Sequence, residues 1–121
     1  MSQTRPSYCG SVAITIEAFR NRPCTLVKTD PEYIPPTPEE VRSLRNLLGF
    51  PQARLGHFLG KSINLKGCKA VRRWETNVEN KEYNPIDYYA WQMMLLAAGV
   101  ITIQSRVDTS LGYKDVLNHR S

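Results

Sequence analysis

The sequence has no run of apolar residues that approaches the roughly 18 to 20 needed to span a bilayer. Its three cysteines, Cys9, Cys24 and Cys68, are odd in number and form no CxxC pair, so neither a disulfide framework nor a zinc site is indicated. The first ten residues lack the cationic start and apolar stretch of a secretory signal. Together these absences predict a soluble, cytoplasmic protein with reduced thiols and no membrane partner.

Residue constellations that carry catalysis are also absent. No nucleophile, base and orienting group fall into a recognisable spacing, and there is no glycine-rich phosphate loop. His57 has no second histidine, cysteine or acid at metal-ligand spacing. The pair Glu39-Glu40 falls in a predicted first helical turn, where carboxylates interact favourably with the helix dipole. We therefore expect no enzyme, no metal and no cofactor.

The charge balance is basic and the chain is short. Sixteen Lys and Arg against eleven Asp and Glu give a formal charge of +5 and a pI near 9.3, which favours an anionic partner such as nucleic acid. A length of 121 residues suits one domain with a modest core. We divide it into an N-terminal arm (1–36), a central domain (37–100) and a C-terminal strand or tail (101–121).

The two flanks predict little regular structure. Five prolines between residues 1 and 36 exclude a long helix there. Val12, Ile14 and Ile16 alternate with smaller residues, which predicts a short strand, with a second at Leu26-Val27. The partner of the first strand would be 101–107, whereas an irregular arm is the alternative. The tail from Thr109 onward could form one short helix through Tyr113 and Val116-Leu117.

The central domain begins with strong helix signals. Thr37, Pro38 and Glu40 have the spacing of a capping box with proline at the first helical position. Val41, Leu44 and Leu48 recur at helical spacing to form the inner face, and Gly49 supplies the stop. The sequence predicts a first helix between Thr37 and Gly49.

Three further helices follow in the central domain. The second runs from Gln52 to Leu59 and ends at Gly60, with Gly56 allowing another helix to approach closely; its inward residues would be Leu55, Phe58 and Leu59. Residues 61–67 form an extended turn. The third runs from about residue 67 or 68 to Thr76, with Ala70, Val71 and Trp74 inside. The fourth runs from Pro85 to Ala98 and is capped by Gly99; its inner face would be Ile86, Tyr89, Ala90, Met93, Leu96, Ala97 and Val100.

A helix that reads duplex DNA needs a partner helix to fix its angle and cations directed at phosphates and base edges. The segment 54–75 supplies both. Over residues 37–99 the chain resembles the lambda-repressor-like helix-turn-helix family, the Cro, phage-repressor and xenobiotic-response-element type. The resemblance is carried by Arg45, Gln52, Leu55, Leu59-Gly60, Val71, Trp74-Glu75, Trp91, Leu95-Leu96 and Ala98-Gly99. It implies a mainly α, compact four- to five-helix domain with short β or irregular flanks.

The resemblance also implies site residues. The arginine matching Arg45 pairs with the glutamate matching Glu75, which joins the first helix to the end of the reading helix. Gln52 matches a glutamine that contacts a phosphate. The base-contacting positions fall on Cys68, Lys69 and Arg73, with Arg72 beside them. We predict phosphate contacts from Gln52, Arg54, Lys61, Asn64, Lys66 and Asn77.

One departure from the family lies between the second and third helices. Thirteen residues separate Gly60 from Trp74, about five more than the family usually has. If the extra residues form a loop, then Lys61, Asn64 and Lys66 enlarge the cationic surface and the reading helix keeps its place. If they lengthen the third helix, the base contacts shift.

The resemblance and the aromatic residues lead to three functional hypotheses. The first is a bacterial or phage-type transcriptional regulator, such as a repressor, that binds an inverted repeat as a homodimer. Its two copies would meet through the fourth helix with 101–107 or through the N-terminal arm. The second is a protein-interaction module derived from the same scaffold, like an antitoxin or an anti-CRISPR-like defence inhibitor. The third is single-strand or RNA binding by the aromatic cluster Tyr83, Tyr88, Tyr89 and Trp91, which at helical spacing is also typical of core and dimer surfaces.

Overall fold

The computed structural model describes residues 13–113. Within that range the protein is mainly helical and contains no strand; the elements are α1 (Ile16–Phe19), a 3₁₀ turn (Pro23–Thr25), α2 (Pro38–Leu48), α3 (Gln52–Phe58), α4 (Lys69–Trp74), α5 (Tyr88–Ala98) and α6 (Ile103–Ser110). None of these helices is long and apolar enough to cross a membrane. The prediction of a mainly helical fold is confirmed.

The start of α2 follows from the capping residues predicted there. The Thr37 hydroxyl accepts a hydrogen bond from the Glu40 N–H at 3.1 Å, and the Glu40 carboxylate accepts from the Thr37 N–H at 2.9 Å. Each bond satisfies a backbone donor that the first helical turn leaves open. Gly49 ends the helix with a φ of 74°, a left-handed conformation that favours glycine.

The predicted strands of both flanks are wrong for the described residues. The Thr15 side chain caps α1 by accepting from the Ala18 N–H at 3.1 Å, and Thr102 caps α6 in a capping box with Ser105. These local caps outweigh the period-two pattern, because Ile14 and Ile103 are both exposed and no buried sheet face exists for them. Leu26 follows the 3₁₀ turn and is not in a strand. Val12, Val116 and Leu117 lie outside the described residues.

Residues 13–36 contribute to the same core as the central helices. Phe19 and Cys24 are buried with Trp91 of α5. The Trp91 indole N–H donates to the Cys24 carbonyl oxygen at 2.8 Å, so a large aromatic side chain is buried with its polar atom satisfied. Arg22 donates to the buried carboxylate of Glu40 at 3.1 Å. The segment predicted as an arm thus covers α2 and α5.

A repeated loop precedes the two long helices. In each copy an Asp or Asn side chain accepts the N–H two residues ahead: Asp30 from Glu32 at 2.8 Å, and Asn80 from Glu82 at 2.7 Å. A side-chain cap then starts an 11-residue helix, α2 or α5, that ends at a left-handed glycine. Every position of the second copy lies 50 residues after its counterpart. The chain therefore builds α2 and α5 with one local design.

The predicted fourth helix, α5, exists, but its start and its buried face differ from the prediction. The helix begins at Tyr88, three residues after the predicted Pro85, because the Asp87 carboxylate caps it by accepting from the Ala90 N–H at 3.1 Å. The buried residues are Ala90, Trp91, Gln92, Met94 and Leu95, whereas Tyr89, Met93 and Ala97 are exposed. The helix carries no charged residue, so periodicity alone could not identify the face that long-range packing selects.

Candidate nucleic-acid interface

Most of α2 and all of α3 and α4 lie in a stretch without any acidic residue. Residues 41–74 contain eight of the sixteen Lys and Arg of the chain and no Asp or Glu. A run of one charge sign produces a positive potential along the surface it covers, which attracts polyanions. Glu75, the acid that follows the stretch, is buried, and its carboxylate is paired with Arg45.

The Glu75 carboxylate joins the three helices at one point. Arg45 of α2 donates through Nε to Oε2 at 2.6 Å and through Nη2 to Oε1 at 2.9 Å. Gln52, the first residue of α3, donates through Nε2 to the same Oε1 at 3.0 Å. Arg42 donates to the Glu75 carbonyl oxygen at 2.9 Å. The structure therefore contains the Arg45–Glu75 pair that the resemblance implied, and it fixes the angle between α3 and α4.

The second contact between α3 and the start of α4 is made by Gly56 and Cys68. A Cβ atom built on Gly56 would lie 2.7 Å from the Cys68 Cβ, closer than side chains pack, so only glycine fits there. Cys68 itself is 1% exposed. It cannot reach a base, and the prediction of a base contact for Cys68 is wrong because the thiol fills the junction between the helices.

The outer face of α4 presents two cations. Lys69 and Arg72 are three residues apart, so they lie on one side of the helix, and both are exposed. Val71 and Trp74 are buried on the opposite side. Neither Lys69 nor Arg72 makes a side-chain ion pair or hydrogen bond with any residue in 13–113. These two predicted base-contacting side chains remain available to an external ligand.

Two other predicted contacts are engaged within the protein. The Arg73 Nε donates to the Glu82 carbonyl oxygen at 3.0 Å, and Arg73 Nη2 lies 3.6 Å from the Glu82 carboxylate. The Lys61 Nζ lies 3.5 Å from the Asp87 carboxylate and 5.7 Å from the centre of the Trp74 ring. Arg73 thus braces the loop 77–83 against α4, and Lys61 braces the start of α5.

The remaining five residues that we predicted to contact phosphates fall into two groups: three form side-chain hydrogen bonds within the protein, and two are exposed cations. The Gln52 side-chain amide donates to the Glu75 carboxylate. The Asn64 and Asn77 side-chain oxygens each accept the backbone N–H two residues ahead, at 2.8 Å in both cases, so both side chains shape turns. Arg54 is exposed, with its guanidinium carbon 4.4 Å from the centre of the Phe50 ring. Lys66 is exposed at a turn between α3 and α4.

The extra residues between α3 and α4 form a loop and do not lengthen the helix. An isolated antiparallel bridge joins Asn64 and Gly67, and α4 begins at Lys69. Of the two outcomes left open by the sequence, the structure has the loop. Of its three predicted contact residues, however, only Lys66 is an exposed cation without a side-chain partner in 13–113, since Lys61 lies beside Asp87 and the Asn64 side chain shapes the turn. Sequence reasoning missed the side chain at the tip of this loop, Leu65, which is fully exposed; an isolated leucine between Asn64 and Lys66 was the available signal.

The aromatic cluster of Tyr83, Tyr88, Tyr89 and Trp91 does not form a flat stacking platform. Tyr33 and Tyr88 meet edge to face, with ring centres 6.1 Å apart and an interplanar angle of 80°, and Tyr88 meets Tyr89 at 5.3 Å and 72°. Trp91 is fully buried. Burial raises the pKa of Tyr33 and of Tyr83 above the ordinary value. These contacts are typical of packing, and Tyr89 is the member of the cluster that is exposed.

Comparison with known proteins gives no relative: no family model, no curated protein and no solved structure matches the chain.

Proposed function

We propose that this protein is a sequence-specific duplex-DNA-binding transcriptional regulator that reads the major groove with α4. The observation that carries the proposal is the exposed pair Lys69 and Arg72, without partners in 13–113, near the end of an acid-free stretch. Arginine can donate two hydrogen bonds to guanine O6 and N7, and lysine can bind the same atoms. The opposite face of α4 is buried, so the helix has one orientation on the domain.

The finer fold assignment belongs to the same proposal. A lambda-repressor-like helix-turn-helix domain is supported by the order of helices α2 to α6 and by the shortness of α3 and α4. It is also supported by the hydrogen bonds that Arg45 and Gln52 donate to Glu75. In this arrangement α3 braces α4 and α4 enters the groove. The loop 61–67 is an addition to that scaffold, and it extends the cationic surface on the side from which α4 begins.

We also propose that the regulator binds as a homodimer through α6. Ile103, Val107 and Leu111 recur four residues apart and are all exposed, which forms an apolar stripe without a charged member. Two copies of a chain with a charge of +5 repel each other over most of their surface, so an uncharged stripe is the favourable place for them to meet. A dimer brings two reading helices to two half-sites and multiplies the specificity.

The experiment that tests the proposal is selection from random DNA duplexes with the purified protein, followed by titration of the selected duplex over a range of salt. A regulator enriches one sequence, and log K falls linearly with log salt, with a slope of about −0.9 for each phosphate neutralised. Enrichment of no sequence would contradict the proposal, and so would binding that does not depend on salt.

A protein-interaction module, like an antitoxin or a defence inhibitor, is the second candidate function. It is favoured by the exposed apolar residues on α5 and α6, Tyr89, Met93, Ile103 and Val107, which a protein partner would cover. Such a module would keep its partner when Lys69 and Arg72 are replaced, whereas a DNA regulator would lose its operator. The same pair of substitutions therefore separates the two functions.

A further inference from the structure

The loop between α3 and α4 ends in a tight turn that presents one leucine to solvent. The Asn64 N–H donates to the Gly67 carbonyl and the Gly67 N–H donates to the Asn64 carbonyl, both at 2.9 Å. The Asn64 side-chain oxygen also accepts from the Lys66 N–H at 2.8 Å. Gly67 has a φ of 114°, which is open to glycine and strained for other residues. Leu65 is at the tip and is fully exposed.

The turn is held on the two helices that form the candidate interface. The Lys61 N–H donates to the Gly56 carbonyl of α3 at 2.8 Å, and the Ile63 Cγ2 lies 3.2 Å from the Cβ position built on Gly56. At its other end, Cys68 is buried directly before α4. These contacts give Leu65 a defined position relative to Lys69, from which only three residues separate it.

The surroundings of Leu65 indicate the chemistry of its partner. Folding gains nothing from a leucine that buries no surface, whereas burying such a side chain in a complex is favourable. Its neighbours in the chain, Lys66 and Lys69, are exposed cations, and residues 41–74 contain no acid. The partner therefore combines negative charge with an apolar group. The major groove of DNA does so, because phosphates line it and each thymine projects a C5 methyl into it.

We propose that Leu65 is a specificity-determining residue that contacts a thymine methyl in the major groove, next to the bases read by Lys69 and Arg72. Lys66, beside it at the tip of the turn, binds the adjacent phosphate. The inference rests on the proposed function, since it assigns one base contact within the same interface. It also gives the loop 61–67 a role, because the turn extends the sequence that each α4 reads.

The test replaces the thymines of the selected duplex by deoxyuridine, one at a time, and measures Kd for the wild type, Leu65→Ala and the control Ile34→Ala. Deoxyuridine lacks only the methyl group, so the wild type should bind one substituted duplex about three- to fivefold more weakly. Leu65→Ala should bind the unsubstituted duplex about three- to tenfold more weakly and should not respond to that substitution. Ile34, an exposed apolar residue in the loop before α2, should behave like wild type when replaced.

The outcomes separate this inference from the proposed function. If the protein selects a sequence but no deoxyuridine changes its affinity, or if Leu65→Ala keeps the same response, Leu65 does not read a methyl and the regulator assignment stands. If the protein selects no sequence, both fail. A circular-dichroism melt of Leu65→Ala should match that of the wild type, because the leucine contributes no buried surface.

Discussion

Arg45 and Glu75 are joined by two hydrogen bonds, 2.6 and 2.9 Å long, across 30 positions of the chain. Both side chains are mostly buried, at 13% and 3% exposure. A buried carboxylate without its cation is costly, and so is the cation without its carboxylate. The pair therefore controls whether α4 stays at a fixed angle to α2, which any reading of DNA by α4 requires.

Replacing Glu75 by Gln should destabilise the protein by about 3 to 5 kcal/mol, because it leaves the Arg45 guanidinium buried without a counter-charge. Urea unfolding measures the change. Glu79→Gln is the matched control, since Glu79 is exposed and its replacement should change the free energy of unfolding by less than about 0.5 kcal/mol. A loss below 1 kcal/mol for Glu75→Gln would mean that the pair behaves like a surface salt bridge.

Replacing Gly56 by Ala should force α3 and the start of α4 apart, because the new methyl group would overlap Cys68. We expect a loss of about 1 to 3 kcal/mol in the free energy of unfolding and weaker binding of the selected duplex. Gly112→Ala is the control: the nearest atom there is 3.5 Å away, an ordinary contact, so that variant should fold and bind like wild type. Equal behaviour of the two variants would contradict the close packing at Gly56.

Replacing Lys66 and Arg72 should have different effects on DNA binding. Lys66→Ala should weaken binding to all sequences alike and reduce the slope of log K against log salt by about 0.9. Arg72→Ala should relax the preference at one base pair by about 1 to 3 kcal/mol. Both follow from titrations against the selected duplex and its single-base variants. The control is Lys28→Ala, which removes an exposed lysine outside the 41–74 stretch and should leave both quantities unchanged.

The sequence predicted those parts of the fold that depend on local chemistry. The capping box at Thr37, the stop at Gly49 and the second helix from Gln52 all have short-range causes, and the structure contains them. The buried face of α5 was not predictable, because the helix has no charged residue to mark its outer side and its packing depends on distant contacts such as the Trp91 hydrogen bond to the Cys24 carbonyl. The repeated loop was visible as Glu-Tyr-x-Pro at 32–35 and 82–85, but it was missed.

For the candidate interface, the sequence identified the cations of α4 but not which of them is paired with an acid inside the protein. Lys69 and Arg73 look equivalent in the sequence, yet Arg73 is held by Glu82 nine residues later, which only the course of the loop 77–83 reveals. Cys68 was predicted to contact a base, although its side chain fills the space that Gly56 leaves. Gly56 indicated that another helix approaches there, but which side chain fills the space depends on how the two helices meet.

The stability of the protein should fall in alkali through Cys24. Burial, and then the nearby Glu40 carboxylate, raise the pKa of this thiol well above its ordinary value, so the folded state keeps the proton that the unfolded chain loses above about pH 8.5. The stabilisation is complete below that pH and is lost as the pH rises, by about 1.4 kcal/mol per unit. Urea titrations between pH 7 and pH 10 measure the slope. Cys24→Ala should have a shallower slope, and an unchanged slope would contradict this role.

Replacing Val107 by Glu should separate the two copies of the proposed dimer, because a carboxylate in the middle of the Ile103, Val107 and Leu111 stripe would be buried opposite its own symmetry mate. Sedimentation velocity should then give a monomer at concentrations where the wild type is a dimer. Asn46→Glu is the control, since it adds the same charge at an exposed position of α2 and should leave the mass unchanged. Affinity for a single half-site should survive in Val107→Glu, while affinity for the full inverted repeat falls by at least tenfold, because the two reading helices no longer bind as one unit. A wild-type protein that sediments as a monomer both alone and on the selected duplex would exclude α6 as a dimer surface and leave its apolar stripe to a different partner.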